Sequence, residues 1–484
     1  MTFKKKIAII GGGITGLAAA YELTLQARQS NTQIEIELFE QAPDLGGKVI
    51  TKKDDPYLVE GGPDCFIVEK PWAIQLVKEL GLENELLNTS SGASGTFVFD
   101  NNALHRLPEG VMMMVPTKPL PFLASKLISW PGKIRMACDI FIPKRKESGD
   151  ETLASFVRRR LGQEALDKMA EPLIGGIHAG NPENMSLLST FPRFLEMEQD
   201  GGSLIIGMLK RQKKMVEMMK KRPATTGPKR TFFISLNEGL GRLVDELATV
   251  IGHEKIHCNR KISQLKTTPE GGWLIEEENR TSTMADALIV TTETYAAAGM
   301  LKNELPRLAD LLNEIPYVSS ATISMAFPRQ AIPHPLDAYG FIVPKIANRR
   351  IMAVTWSSIK WAHRAPQGMV LLRAFVGGAQ RQELAACGDQ EMLNLVKEEL
   401  SSIMGITTAP EKSWIYRWPK GMPQYIMGHL DRLDAIDAIS KQQKGLYLAG
   451  AGYRGIGIPD CINQGRQAAV KAWEELAGSE KGEG

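Results

Sequence analysis

Three glycines spaced as Gly11-x-Gly13-x-x-Gly16 separate the apolar run 5–10 from an alanine-rich stretch, and they are the sharpest chemical signal in the chain. At a strand-to-helix junction the first glycine permits a tight turn, the second lets backbone approach a pyrophosphate, and the third lets helix pack on strand. The unpaired N–H groups of the helix start then face the phosphates. Glu40 follows 24 residues after Gly16, at the end of a second alternating run, where a carboxylate accepts hydrogen bonds from both ribose hydroxyls. A triplet alone is weak evidence. Triplet, flanking runs and terminal acid together point to a dinucleotide held by Gly11, Gly12, Gly13, Ile14, Thr15, Gly16, Glu40 and Gln41. The competing readings are a purely structural turn and a signal peptide, which the basic start MTFKKK imitates; the glycine spacing argues against the latter.

Other candidate chemistry is thinner. His253-Glu254-Lys255-Ile256-His257 matches the zinc-peptidase pattern, which binds metal only on a helix that brings both imidazoles to one face. Gly252 reads as the cap of a preceding helix and the residues after it alternate as a strand, which sets the two histidines roughly 13 Å apart. No metal site is expected. His178 is a candidate pocket residue, weighed against the commoner case of a histidine used for packing. The five cysteines, Cys65, Cys138, Cys258, Cys387 and Cys461, are scattered without a CxxC pair, which fits a reducing, cytoplasmic setting. The sequons at Asn88, Asn184 and Asn279 carry little weight in a chain with no secretion signal.

The elements that must position these residues follow from periodicity. Runs 5–10 and 34–39 read as strands around a helix at 14–28, a βαβ start. A helix is expected from 71 to about 87. From about 91 to 227 proline-rich loops mix with amphipathic helices such as 153–161, and this reads as a mostly helical insertion. A helix at 243–250, strands at 255–265, 272–278 and 287–292, and a strand-rich block between 317 and 424 follow, the last built on ATISMAF, GFIVP, IMAVTW and MVLLRAFVG. GLYLAG, a glycine loop and a helix starting near Pro459 close the chain, and only the last few residues read as disordered. The fold class is α/β: a Rossmann-like nucleotide domain built from 1–88, 229–298 and 429–484, a helical insertion at 89–228 and a sheet-based substrate domain at 299–428.

Bulk properties agree. At 484 residues the chain exceeds a single core, and a net charge of +3 is too small to imply nucleic acid. The basic clusters Lys144, Arg145, Lys146 and Arg158, Arg159, Arg160 read most simply as solvated helix faces, with anionic substrates or lipid headgroups as the alternative. The most apolar loop region, around 111–130, is broken by Pro116, Lys118, Pro119 and Pro121, so no transmembrane anchor is expected and the protein is read as soluble, or at most peripheral.

Leu45-Gly46-Gly47-Lys48-Val49 and Glu60-Gly61-Gly62-Pro63-Asp64 resemble the extended dinucleotide signature of the monoamine oxidase and phytoene desaturase flavoprotein superfamily, which implies FAD rather than NAD. The contacts it implies are Gly47, Lys48, Gly61, Gly62, Pro63 and Asp64. Lys48 stands where arginine is usual; it keeps the charge and loses the planar fork. The segment 448–460, LAGAGYRGIGIPD, resembles the closing FAD motif of the same superfamily, implying Gly450, Ala451, Ile456, Gly457 and Ile458. A helix N-terminus aimed there at the flavin would favour its anionic reduced form.

The segments GGPDCF, PLIGGIHAGNPENMSL, PQYIMGH and GIGIPDCINQGRQAA, in this order, are similar to the porphyrinogen oxidases of haem biosynthesis over almost the whole chain. The Gram-positive enzymes of that family are most alike, and their usual substrate is coproporphyrinogen III. The resemblance implies Lys70, Ile174 and His178 on the substrate side, Lys261 where backbone meets adenine, and Trp418 near the flavin. Gly452-Tyr453-Arg454 departs from the usual serine- or alanine-aromatic-glutamate form.

The implied activity is an FAD-dependent, six-electron oxidation of coproporphyrinogen III to coproporphyrin III, with oxygen as acceptor and hydrogen peroxide as by-product. Its chemistry demands no protein base: loss of hydride from a meso carbon leaves a cation that the flanking pyrroles stabilise, and a pyrrole N–H supplies the proton. Holding the macrocycle in place is then the main task, and no catalytic side chain is singled out. FAD is expected to be non-covalent, because no cysteine or histidine lies near the flavin-facing segment 418–425. The partners are the porphyrinogen and oxygen, with transient contacts to neighbouring haem-pathway enzymes. The alternatives are a protoporphyrinogen IX oxidase, an amine oxidase or carotenoid desaturase on the same fold, and a non-catalytic FAD-binding scaffold.

Overall fold

The structure is a computed structural model that describes residues 5–30, 34–112, 115–146, 149–221 and 230–480. The first four residues of the basic start and the last four, read as disordered, lie outside the described residues. Lys6–Ile10, Glu35–Phe39 and the helix Ile14–Ser30 form the expected βαβ unit. It grows into a parallel sheet in the order Ile256–His257, Glu35–Phe39, Lys6–Ile10, Ala287–Val290, Leu446–Leu448.

The period of two decides what covers each face. Ile7 and Ile9 meet the helices Ile14–Ser30, Gly241–Ile251 and Ile458–Glu480, while Ala8 and Ile10 face a core shared with Trp273, Ile275, Leu301 and Leu308. Each buried isoleucine or leucine side chain among them contributes roughly 1.5–3 kcal/mol. Strands drawn from both ends of the chain thereby converge on one nucleotide-binding edge.

A seven-stranded sheet runs in the order Lys412–Pro423, Tyr317–Pro328, Met369–Gly377, Ala353–Trp356, Gly340–Ile342, Phe97–Asp100, Ala103–Arg106. Ala321, Ile323, Met325 and Phe327 turn to the helix Asp389–Met404, which leaves Thr322 and Ser324 on the opposite face. The insertion packs Phe156, Met169, Leu187 and Phe194 into its own core, which runs on into Val98, Ile342 and Ala353.

Four local expectations are corrected. The helix expected to reach 87 ends at Glu79, because Gly81 turns at φ +73, and Leu86–Asn88 instead pairs with Phe233–Leu236. The strand read over 255–265 is two strands, Ile256–His257 and Ile262–Thr267, in different sheets. The segment read as mostly helical gives Phe97–Asp100 and Ala103–Arg106 to the seven-stranded sheet. Arg160 is not on a solvated face: it is fully buried on the equally buried Asp139, its Nε donating at 2.6 Å, beside Arg159, which pairs with Glu198 and Glu151. His253 opens a single 3-10 turn and His257 lies on a strand, so no helix presents that pair to a metal.

Candidate cofactor and substrate site

The glycine turn is built as its chemistry requires. Gly11 sits at φ +110, and a Cβ on Gly16 would stand 1.9 Å from the Gly11 carbonyl oxygen, so the helix can meet the strand only with glycine there. Around the position where a Cβ of Gly13 would stand, no atom lies within 4 Å. The Glu40 carboxylate accepts from Gly12 N–H at 2.6 Å and from Ala42 N–H at 2.8 Å, which fixes it beside the turn with lone pairs to spare. Gln41 is exposed next to it, and the start of the 14–30 helix buries Ile14 and Thr15. Lys261 lies at the same edge: the neighbouring Arg260 N–H donates to Glu40 O, while the Lys261 carbonyl accepts from Glu278 N–H and its ammonium pairs with Glu278.

The two later glycine pairs are threaded over this turn. Gly46 N–H donates to Gly12 O, and a Cβ on Gly47 would meet Gly13 Cα at 3.2 Å. Gly62 lies so close to the Lys48 carbonyl that a Cβ would stand 1.9 Å from its oxygen. Lys48 pairs with Glu293 at 2.5 Å; burial pushes that carboxyl up, but the ammonium outweighs it and holds the carboxyl below its ordinary range. The 60–64 loop is then clamped by the seven-stranded sheet: Thr322 Oγ1 and Trp418 Nε1 donate to Gly61 O, and Arg373 donates to Glu60 O and Gly62 O.

The carboxylate of Asp64, a residue expected at the cofactor, is held by protein groups. Lys360 lies at 3.1 Å, Trp361 Nε1 donates at 2.9 Å and Arg373 stands at 3.6 Å. Burial alone would raise its pKa, yet the two cations and the indole hold the carboxyl far below the usual range. Pro63 sits between this ion cluster and Gly62.

At the C-terminal motif, Gly450 turns at φ +133 and the helix Ile458–Glu480 starts beside the first helix. A Cβ on Gly465 would lie 2.2 Å from Thr15 O, so the two helices touch near their N-termini and present their positive ends side by side. Ile456 and Gly457 lead into this helix, and Asp460 in its first turn receives Lys70 Nζ at 2.6 Å on both carboxylate oxygens.

Lys70 and His178, both expected on the substrate side, are neighbours. His178 is buried, and burial together with the neighbouring Lys70 charge pulls its pKa down to about 4. Its ring meets Phe191 edge-on, and its carbonyl accepts from Gln424 Nε2 at 3.0 Å. Ser186 N–H donates to Tyr425 O, which stitches the 172–187 segment to the 423–429 segment. Tyr425 OH donates to Ala451 O at 2.6 Å and accepts from Gly455 N–H at 2.8 Å, and its ring stacks on His429 at 4.1 Å. The chain thus brings Lys70 and His178 together beside the C-terminal motif. Ile174 lies one turn before His178 on the helix Glu171–His178 and is packed into the insertion core. Histidines also prove close to 418–425, since His178 and His429 both flank Gln424 and Tyr425.

The profile of the flavin-containing amine oxidoreductases matches residues 14–472. The chain belongs to that family. Among curated relatives, coproporphyrinogen III oxidase of Bacillus subtilis (strain 168) is 39% identical over 97% of this chain and 98% of its own length. Coproporphyrinogen III oxidase of Staphylococcus aureus is 33% identical over 98% of this chain and 100% of its own. A solved structure from Exiguobacterium sp. 255-15 superposes with a TM-score of 0.83 at 32% identity, covering 98% of this chain and 99% of that one.

FAD is the cofactor of this flavin-containing amine oxidoreductase, and its residues fit the group. The open space at Gly13, the Glu40 carboxylate and the paired helix ends supply a phosphate cradle, a ribose acceptor and positive potential together. Sequence reasoning passed over Tyr425, Asp460, Lys360 and Arg373. The first two lie inside the quoted PQYIMGH and GIGIPDC segments and were within reach. Lys360 and Arg373 carry no local pattern, because only the sheet brings them to the 60–64 loop.

Proposed function

We propose that this chain oxidises coproporphyrinogen III to coproporphyrin III in three two-electron rounds, with oxygen as acceptor and hydrogen peroxide as by-product. The observation that carries the reading is likeness to the coproporphyrinogen III oxidases along nearly the whole chain. Bound FAD supplies the two-electron acceptor. The chain's own residues hold the macrocycle. Two of the three N–H groups of Lys70 are directed to Asp460, which leaves one for a substrate propionate. His178, neutral at pH 7 by its low pKa, adds no second cation at that point. The N-terminus of the helix Ile458–Glu480 favours the negative charge that reduction places on the flavin ring. The proposal includes a cytoplasmic setting and transient contacts with neighbouring haem-pathway enzymes.

Anaerobic titration of the yellow protein tests the reading. Coproporphyrinogen III is expected to bleach the flavin and yield fluorescent porphyrin. Bleaching by protoporphyrinogen IX alone would reassign the substrate, bleaching only by an amine would make the protein an amine oxidase, and no bleaching by any donor would leave a non-catalytic flavoprotein.

A further inference from the structure

Gly450, Gly452, Gly455 and Gly457 crowd the C-terminal motif between its last strand and the helix Ile458–Glu480. Gly450 and Gly455 turn at φ +133 and φ +115, a backbone form that glycine adopts readily and other residues resist. Within the segment, Tyr453 N–H reaches Gly450 O at 3.2 Å, a long bond. Backbone this permissive takes its shape from the groups that grip it.

The short grips come from two rings. Tyr425 OH donates to Ala451 O at 2.6 Å and accepts from Gly455 N–H at 2.8 Å, and His429 Nε2 donates to Tyr453 O at 2.9 Å. Gln464 adds longer bonds, accepting from Arg454 N–H and donating to Gly455 O at 3.3 Å each. Arg454 pairs with Asp437 at 2.7 Å, but both side chains are half exposed and such a pair adds little.

His429 serves twice. Its ring lies on the Tyr425 ring with centroids 4.1 Å apart and planes 14° from parallel, which sets the direction of the phenol oxygen. It opens the helix His429–Ser440, whose Leu433 and Ile436 are buried, so the ring stands on a firm base. A carbonyl only accepts, so Nε2 carries the hydrogen. Burial draws the pKa down to about 4, against the pull of the Tyr453 carbonyl, so the ring is neutral at pH 7 and Nδ1 is a bare acceptor. That atom is buried and meets no donor among the described residues. A hydrocarbon side chain would fill the same space without this penalty, so what the imidazole adds is the bond made by its other nitrogen. We infer that His429 is a positioning residue for the cofactor: it orients Tyr425 and, together with it, holds 451–455 in the form that closes on FAD. The inference rests on FAD lying against this segment.

Three variants of the FAD-loaded protein test it. His429→Leu removes both the stacking face and the donor, and on dilution into FAD-free buffer it should release flavin roughly 5–100-fold faster than the parent. His429→Phe returns the face and His429→Gln returns the donor, so each should recover part of that loss. Hydrogen exchange should quicken in peptides covering 450–457 of His429→Leu and stay unchanged in the strands Lys6–Ile10 and Ala287–Val290. In the parent, nitrogen NMR of labelled histidine should show the Nε2–H tautomer for His429 at pH 7, its signal assigned by its loss in His429→Gln. An Nδ1–H tautomer, or release from His429→Leu at the parent rate, overturns the inference. Release from His429→Phe and His429→Gln as fast as from His429→Leu, or exchange that quickens throughout the chain, overturns it by making His429 a packing residue. Loosening confined to 450–457 without faster release overturns it differently, by removing that segment from the cofactor site.

Discussion

Replacing Lys70 with methionine keeps most of the side-chain volume and removes the charge beside His178 and Asp460. The ammonium has one donor left after Asp460, so the substrate contact at risk is a single charge-assisted hydrogen bond, worth about 1.5–3 kcal/mol. Lys70 is 34% exposed, and solvent screening places the loss in the lower half of that range. The expected fall in kcat/KM for coproporphyrinogen III is therefore roughly 10–30-fold. The variant also strands the mostly buried Asp460 carboxylate next to an anionic substrate. Lys70→Met with Asp460→Asn should accordingly recover part of the loss. Protoporphyrinogen IX carries two propionates in place of four, so its specificity constant is expected to be lower by at least about tenfold in the parent enzyme and to fall less in the variant, which narrows the gap. Steady-state porphyrin fluorescence with both substrates at matched ionic strength, on protein with full flavin absorbance, is the assay. A loss under about twofold, or an equal loss for both substrates, would refute a propionate contact at Lys70.

Glu40→Ala should weaken FAD binding by about 1.5–3 kcal/mol, since the ribose loses a charged acceptor and Gly12 and Ala42 lose theirs; unchanged affinity in calorimetric titration of the apoprotein would exclude Glu40 from the site. Tyr425→Phe removes both bonds to the 451–455 loop and should cost about 1–3 kcal/mol, read as faster FAD loss and a lower melting temperature; retention of both would show the hydroxyl to be idle. Acid or heat precipitation should release intact FAD, and flavin that stays with the precipitate would prove a covalent link. Burial, with Lys70 also acting at His178, holds His178 and His429 down to about 4 in the folded state. The unfolded chain takes up these protons near its ordinary value of about 6.5, so their stabilisation is full above that pH and is lost progressively as pH falls from 6.5 toward 4. Between about pH 7 and pH 5 the loss is on the order of 2 kcal/mol per histidine, and a urea midpoint that stays flat over that interval would contradict it.

The cofactor motifs were legible because each is local: a glycine turn states its own geometry, and Gly16, Gly62 and Gly465 turn out to lie where a Cβ would collide with backbone. The seven-stranded sheet was legible only in part. Lys412–Pro423 contains Pro419 and Gly421, which argue against a strand, and the structure admits them because this strand lies at the sheet edge. Phe97–Asp100 was absorbed into a helical reading because its partner, Gly340–Ile342, lies more than two hundred residues away. The orientation of Asp64 was out of reach for the same reason: the pattern GGPD names the loop, while Lys360, Trp361 and Arg373 decide where the carboxylate turns.

The clamp on the 60–64 loop has a consequence for anyone recombining enzymes of this fold. A designer cutting at the visible border between the two sheets would transplant Thr322, Arg373 and Trp418 without the backbone carbonyls they hold, or the loop without its holders. The unit of inheritance here is the seven-stranded sheet plus a five-residue passenger from the far end of the chain. A chimera that swaps the sheet alone should misplace the flavin although each module folds. One that carries 60–64 across with it should keep its colour.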